Sequence, residues 1–191
     1  MVRVHVFDVV RAKGESEQGF AVLLIDEDQN RFLTIFMAET QAVAIAHGAQ
    51  KHEAPRPMTF ELMANLLESA GVKLLDVHVE SLKDTTFYAS MKIQANGTVK
   101  DVDARPSDAI ALALRTASPI YVSEQVMNRA GVEVSQEDRQ AKTTLQGIQD
   151  LINTIQASTI LPPDIAKVLE QDGKKPFDMK SYLSDNEMHI E

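Results

Sequence analysis

The chain has 191 residues, no cysteine, and a formal net charge of −9 at pH 7. That length suits one domain, or a domain with an extension, and allows a substantial core. The missing thiols exclude disulfides, a thiol nucleophile and thiolate-bound metal. The acidity weighs against a protein that holds nucleic acid chiefly by coating phosphates with lysine and arginine. A nuclease is still compatible with it, because a carboxylate-bound divalent ion supplies positive charge locally.

Residues 2–10, 20–25 and 31–36 are rich in β-branched and aromatic residues and read as three strands, parted by the charged, glycine-containing stretch 14–19 and the polar turn 26–30. A short helix over 41–47, capped by Thr40, and a loop over 47–58 containing Pro55 and Pro57 follow. Phe60, Met63, Leu66, Leu67 and Ala70 recur at helical spacing and predict a helix over 59–70 stopped by Gly71. Strands are predicted over 72–82, with Leu75, Val77 and Val79 on one side, and over 86–94. Asn96-Gly97 is a hairpin signal that returns the chain along 98–104. An apolar helix from Ser107, a short strand over 119–122 and a helix over 123–130 ending at Gly131 complete this region.

Strands and helices arrive in blocks, which favours an α+β fold over a doubly wound parallel sheet. The expected core is an antiparallel or mixed sheet of about six to seven strands with packed helices. An internal echo points to two β-β-β-α halves. A shift of 67 residues lays Thr40-Gln41-Ala42-Val43-Ala44-Ile45-Ala46 over Ser107-Asp108-Ala109-Ile110-Ala111-Leu112-Ala113, and Thr34, Phe36 and Ala38 over Asp101, Asp103 and Arg105. Beyond Val134 the chain changes character: Leu145, Ile148, Leu151, Ile152 and Ile155 form one helical stripe, and a second helix is predicted over 164–171. The expected division is a domain over 1–134 and a helical extension over 135–191 that packs on the body or on a sister subunit. No run approaches the ~20 apolar residues of a membrane span, and the N-terminus lacks a signal-peptide pattern, so a cytoplasmic location and no membrane partner are expected.

The segment from Lys100 to Arg115 concentrates the chemistry. In an extended chain Asp101, Asp103 and Arg105 share one face. Pro106 disfavours helix at Arg105, Ser107 is the expected N-cap, and Asp108 falls in the first helical turn, where the helix dipole favours a carboxylate. Three carboxylates and an arginine therefore gather at a helix start. As an ordinary helix-start carboxylate and an exposed ion pair they would contribute roughly 0.3–1 kcal/mol each. Asp76, His78 and Glu80 on one strand face read as the polar dress of a half-exposed sheet, and His47 with His52 fits no standard zinc spacing.

The sequence resembles the bifunctional nuclease domain family. Arg56-Pro57-Met58-Thr59, Asp84-Thr85-Thr86-Phe87-Tyr88-Ala89, the run Asp103-Ala104-Arg105-Pro106-Ser107-Asp108-Ala109-Ile110-Ala111-Leu112-Ala113-Leu114-Arg115, and Pro119-Ile120-Tyr121-Val122 carry the likeness, over roughly residues 1–134. It implies an α+β domain, nuclease activity on DNA and RNA, and a homo-oligomer. Many relatives have His-Asp where this chain has Phe60-Glu61, so a histidine base is absent there. Where many begin their first short helix after Gly-Pro-Phe-Glu-Ala, this chain keeps the glutamate alone, Glu39.

The leading expectation is metal-assisted phosphodiester hydrolysis, with nucleic acid as a substrate and not as a stable electrostatic complex. Asp101, Asp103 and Asp108 would hold Mg²⁺ or Mn²⁺, hard cations that prefer oxygen ligands, and the planar fork of Arg105 would meet the phosphate. Asp103, Arg105, Asp108 and Glu39 are the candidate catalytic residues; Arg56, Arg105, Ser107 and Arg115 are the candidate substrate contacts. The alternative is a non-catalytic ligand-binding, regulatory or oligomerisation module that uses the same Asp/Arg cluster as an interface or an anion site.

Overall fold

The computed structural model describes residues 1–13, 18–28, 30–52 and 54–133. The extension over 135–191, with its predicted helices, lies outside the described residues. Within them the fold is α+β, with eight strands and four helices.

The chain begins with a three-stranded antiparallel meander, β1 (Val2–Lys13), β2 (Gln18–Asp26) and β3 (Arg31–Met37), followed by α1 (Glu39–Gln50). After α2 (Thr59–Ser69) comes a second meander, β4 (Val72–Lys83), β5 (Thr86–Ala95) and β6 (Thr98–Ala104), followed by α3 (Pro106–Thr116). Then come β7 (Ile120–Val122), α4 (Glu124–Ala130) and β8 (Gly131–Glu133). The repeated β-β-β-α plan read from the 67-residue echo is thus present, and the same shift lays the N-cap of α1, Ala38, on that of α3, Arg105.

All eight strands form one mixed sheet in the order β6-β5-β4-β7-β1-β2-β3-β8. Short β7 joins the halves, parallel to β4 and antiparallel to β1. The extra strand relative to the sequence expectation is β8, only three residues long, which pairs with β3 just after α4.

One face of the sheet carries the main core. Val4, Val9, Phe20, Val22, Leu24, Leu33, Ile35, Leu74, Val77 and Val79 meet the buried residues of α1, α3 and α4 there. Ile110 and Leu112 of α3 are at most 2 % exposed, and each contributes about 1.5–3 kcal/mol by leaving water. Leu74, and not Leu75, joins Val77 in this core. A register shift between Leu74 and Asp76 inserts an extra residue and reverses the simple alternation.

The 59–70 helix and the 98–104 strand form nearly as the sequence predicts. Asn96 and Gly97 both have positive φ, 50° and 76°, as the two-residue hairpin between β5 and β6 requires. Two helix starts differ. α1 begins at Glu39 behind Ala38, two residues ahead of the predicted start and without Thr40 as cap. At α3 the N-cap is Arg105, and Pro106 takes the first helical position, where its missing N–H costs nothing. Ser107 therefore lies inside the first turn and is 8 % exposed.

Candidate functional site

The register of β5 and β6 decides where the acidic residues stand. Ala104 and Val102 pair with Ala89 and Met91, which pack on the main core, so they face the helices. Asp103 and Asp101 pair with Ser90 and Lys92 and project from the opposite, outer face. Both aspartates are exposed, and β6 is the terminal strand of the sheet.

Asp108 belongs to the other side, in the first turn of α3. Its Oδ2 accepts a 2.6 Å hydrogen bond from Arg105 Nε. That bond and the attraction of the Asp108 charge raise the Arg105 pKa further, so the guanidinium stays charged at any working pH. The Arg105 side chain is 69 % exposed; with only Nε engaged, its outer nitrogens remain at the surface.

The structure thus brings together Arg105 with Asp108, and Asp101 with Asp103, but does not merge the pairs into one ligand set. Among the described residues no group of three or more histidine or acidic side chains is placed to hold a metal ion. Asp108, counted as a third ligand from the sequence, is set apart by the strand pleat and engaged by Arg105. Glu39, the first residue of α1, and Arg56, in the α1–α2 connection, are both exposed.

Arg115 is turned inward instead of toward a substrate. Its side chain is 8 % exposed; Nε donates to Glu61 Oε1 at 2.8 Å, and Nη1 donates to the carbonyls of Ala44 and Ala111. One guanidinium therefore ties α1, α2 and α3. Gly48 of α1 allows the approach, since a Cβ there would sit 2.9 Å from Leu114 Cβ and run into the Arg115 guanidinium. Burial acts to raise the Glu61 carboxyl, but the Arg115 hydrogen bond and charge outweigh it and hold the pKa below the ordinary value. Nearby, burial, His52 and Arg115 together lower the His47 pKa, against a smaller opposing effect of Glu61. The His47 and His52 rings lie 4.6 Å apart.

Asp76, His78 and Glu80, which the sequence places on one strand face, join β5 residues in a second polar network on the outer face beside the aspartates; the sequence did not show those partners. His78 Nε2 lies 3.1 Å from Asp76 Oδ1, Lys92 Nζ lies 4.0 Å from the same oxygen, and the His78 ring meets Tyr121 edge to face at 5.6 Å. Ser90 donates a 2.5 Å hydrogen bond to Glu80. Cross-strand pairing sets Ser90 between His78 and Asp103, and Lys92 between Asp76 and Asp101. The Asn96-Gly97 hairpin fixes only the step from Ser90 and Lys92 to Asp103 and Asp101; the β4–β5 pairing that builds the network carries two register shifts. A separate cleft of about 320 Å³ between the start of β1, the ends of α1 and α3, and β7 has no carboxylate in its lining.

Fold and site together define an α+β sheet-and-helix domain whose acidic residues stand on an open sheet edge, not in an enclosed pocket. The chain belongs to the bifunctional nuclease domain family, which matches residues 22–135. An uncharacterized protein of Mycobacterium tuberculosis is 39 % identical over 137 residues, covering 71 % of this chain and 82 % of that protein. Bifunctional nuclease 1 of Oryza sativa subsp. japonica is 23 % identical over 131 residues, 67 % of this chain and 40 % of the rice protein. Bifunctional nuclease 2 of Arabidopsis thaliana is 24 % identical over 126 residues, 64 % of this chain and 38 % of the plant protein.

Proposed function

We propose that this chain hydrolyses phosphodiester bonds in DNA and RNA. Membership of the bifunctional nuclease domain family is the observation that carries the reading. The geometry supports the reading: Asp101 and Asp103 share the outer face of a terminal strand, where an extended polynucleotide can reach them without entering a pocket.

Two carboxylates suffice to hold Mg²⁺ or Mn²⁺ when water and the substrate phosphate complete the coordination. The residues thus fit a two-aspartate site, not the three-aspartate site read from the sequence. When bound there, the ion would supply the positive charge this acidic protein otherwise lacks and lower the pKa of a coordinated water. Arg105, oriented by Asp108 through Nε, offers its remaining donors to a phosphate oxygen as a planar fork. In this reading Asp108 positions Arg105 and takes no part in metal binding.

Wild type, Asp103→Asn and Asp101→Asn, purified in parallel, should be compared on single-stranded DNA and on RNA with Mg²⁺, Mn²⁺ and chelator. Cleavage by the wild type that is abolished by chelator and by either substitution supports the proposal. Equal activity in all three proteins identifies a contaminant and refutes it.

A second reading, a binding or regulatory module, draws on one observation: Arg105 and Asp108 already neutralise each other at 2.6 Å. Cation binding that depends on Asp103 without any turnover would select that reading.

A further inference from the structure

The outer face of the first meander is apolar. Val10 of β1, Ala21, Leu23 and Ile25 of β2, and Phe32 of β3 form a second cluster, flanked by Phe7 and Phe36. Phe7 and Phe32 meet edge to face at 4.9 Å. Leu23 is 1 % exposed and Phe32 0 %, yet every residue in this cluster comes from a strand, while the residues that α1, α3 and α4 contribute to a buried core all belong to the cluster on the other face. The buried Thr34 Oγ1 has no hydrogen-bond partner among the described residues. By the β2–β3 register Thr34 lies opposite Leu23, on this same face.

No described helix covers the face. The undescribed residues of the β1–β2 turn are Gly14, Glu15, Ser16 and Glu17, and the other internal ones are Gln29 and Glu53; none has an apolar side chain to offer. Residues 134–191 do, in the stripe Leu145, Ile148, Leu151, Ile152 and Ile155. The chain leaves the described fold at Glu133 of β8, which pairs with β3 at the margin of this half of the sheet. Residues 134–144 can span up to roughly 36 Å when extended, enough to bring Leu145 onto the face. The stripe over 145–155 is about 15 Å long as a helix, against about 13 Å from Ala21 to Ile25 along β2.

From the burial of this apolar face, the lack of any described helix over it and the point where the chain departs, we infer that residues 145–155 form an amphipathic helix that docks on Val10, Leu23, Ile25 and Phe32 of the same chain. The sheet then becomes the middle of three layers, with helices on both faces of its first half. The outer face of the second half, with Asp101 and Asp103, stays open beside the docked segment.

The chain has no tryptophan, so Phe36→Trp places a single fluorescent reporter at the rim of this face. In the 191-residue chain its emission should be blue-shifted and shielded from iodide. Adding Ile148→Asp with Leu151→Asp should red-shift it and raise quenching several-fold, whereas Asn153→Asp, on the other side of the predicted helix, should leave it unchanged. Shielding that survives the stripe substitutions overturns the inference. So does shielding that disappears on dilution whatever the stripe carries, which would assign the face to a second copy. If circular dichroism shows that Phe36→Trp does not fold, the same stripe and control variants are compared in the chain that retains Phe36 by binding of a hydrophobic dye. Increased binding by the stripe variant alone supports the docking, and equal binding overturns it.

Discussion

Replacing Arg115 by methionine tests whether one guanidinium holds the three helices together. The change keeps most of the apolar stem but removes the donors to Glu61, to the Ala44 carbonyl of α1 and to the Ala111 carbonyl of α3. Removing one partner of a fully buried pair costs about 3–5 kcal/mol. Glu61 is 30 % exposed and can recruit water, so the expected cost is about 2–4 kcal/mol. Urea denaturation followed by circular dichroism should show the midpoint falling at unchanged slope. Glu61→Gln should cost less, and the double variant should fall short of the sum by about 1–3 kcal/mol, because both changes break the same bond. The pair also has a pH signature. Glu61 has a folded pKa below its unfolded one, so the folded chain binds fewer protons. Its contribution is whole above the ordinary glutamate range and is lost as pH falls through the depressed value; Glu61→Gln should lack that acid limb. A loss below about 1 kcal/mol for Arg115→Met, or strict additivity in the double variant, would refute the staple.

Gly48→Ala should destabilise the fold by about 1–3 kcal/mol despite alanine's better helix propensity, because the new methyl runs into Leu114 and Arg115; thermal unfolding checks it, and a rise in Tm would contradict the packing. Asp8 presents the opposite sign to Glu61: burial pushes its carboxyl up, against a smaller lowering by the Val9 N–H bond. Its ionisation therefore opposes folding as pH rises from the ordinary aspartate value through the raised one, and Asp8→Asn should be more stable than wild type at neutral pH and flatten that slope. His52→Ala removes one of the charges that lower the His47 pKa, so an NMR titration of the His47 ring should move upward toward the ordinary histidine value; no movement would separate the two rings electrostatically.

Local order was largely visible in the linear chain. The spacing of Phe60, Leu67 and Ala70 and the Asn96-Gly97 turn each act over a few residues, and each forms where the sequence places it, whereas the cap of α3 falls two residues ahead of the expected Ser107. The acidic corner was only half visible. Alternation correctly put Asp101 and Asp103 on one face, but nearness in sequence to Asp108 was mistaken for nearness in space, although a pleated strand and the helix after it present their side chains to different layers. Arg115 is a candidate substrate contact from the sequence alone, and only the approach of α1 and α2 supplies the carbonyl and carboxylate that draw it inside.

The sequence by itself determined the fold class, the family, the two β-β-β-α units and most element boundaries, since periodicity, turn chemistry and capping are short-range properties of the backbone. Tertiary structure alone decided the strand order with β7 between the halves, the shift that exchanges Leu75 for Leu74 in the core, the 54-residue reach from Glu61 to Arg115, and the Asp76–His78–Lys92 network beside Asp101. These depend on which strand edges pair and in which register, and that choice is set by burying both meanders under one helical layer at once.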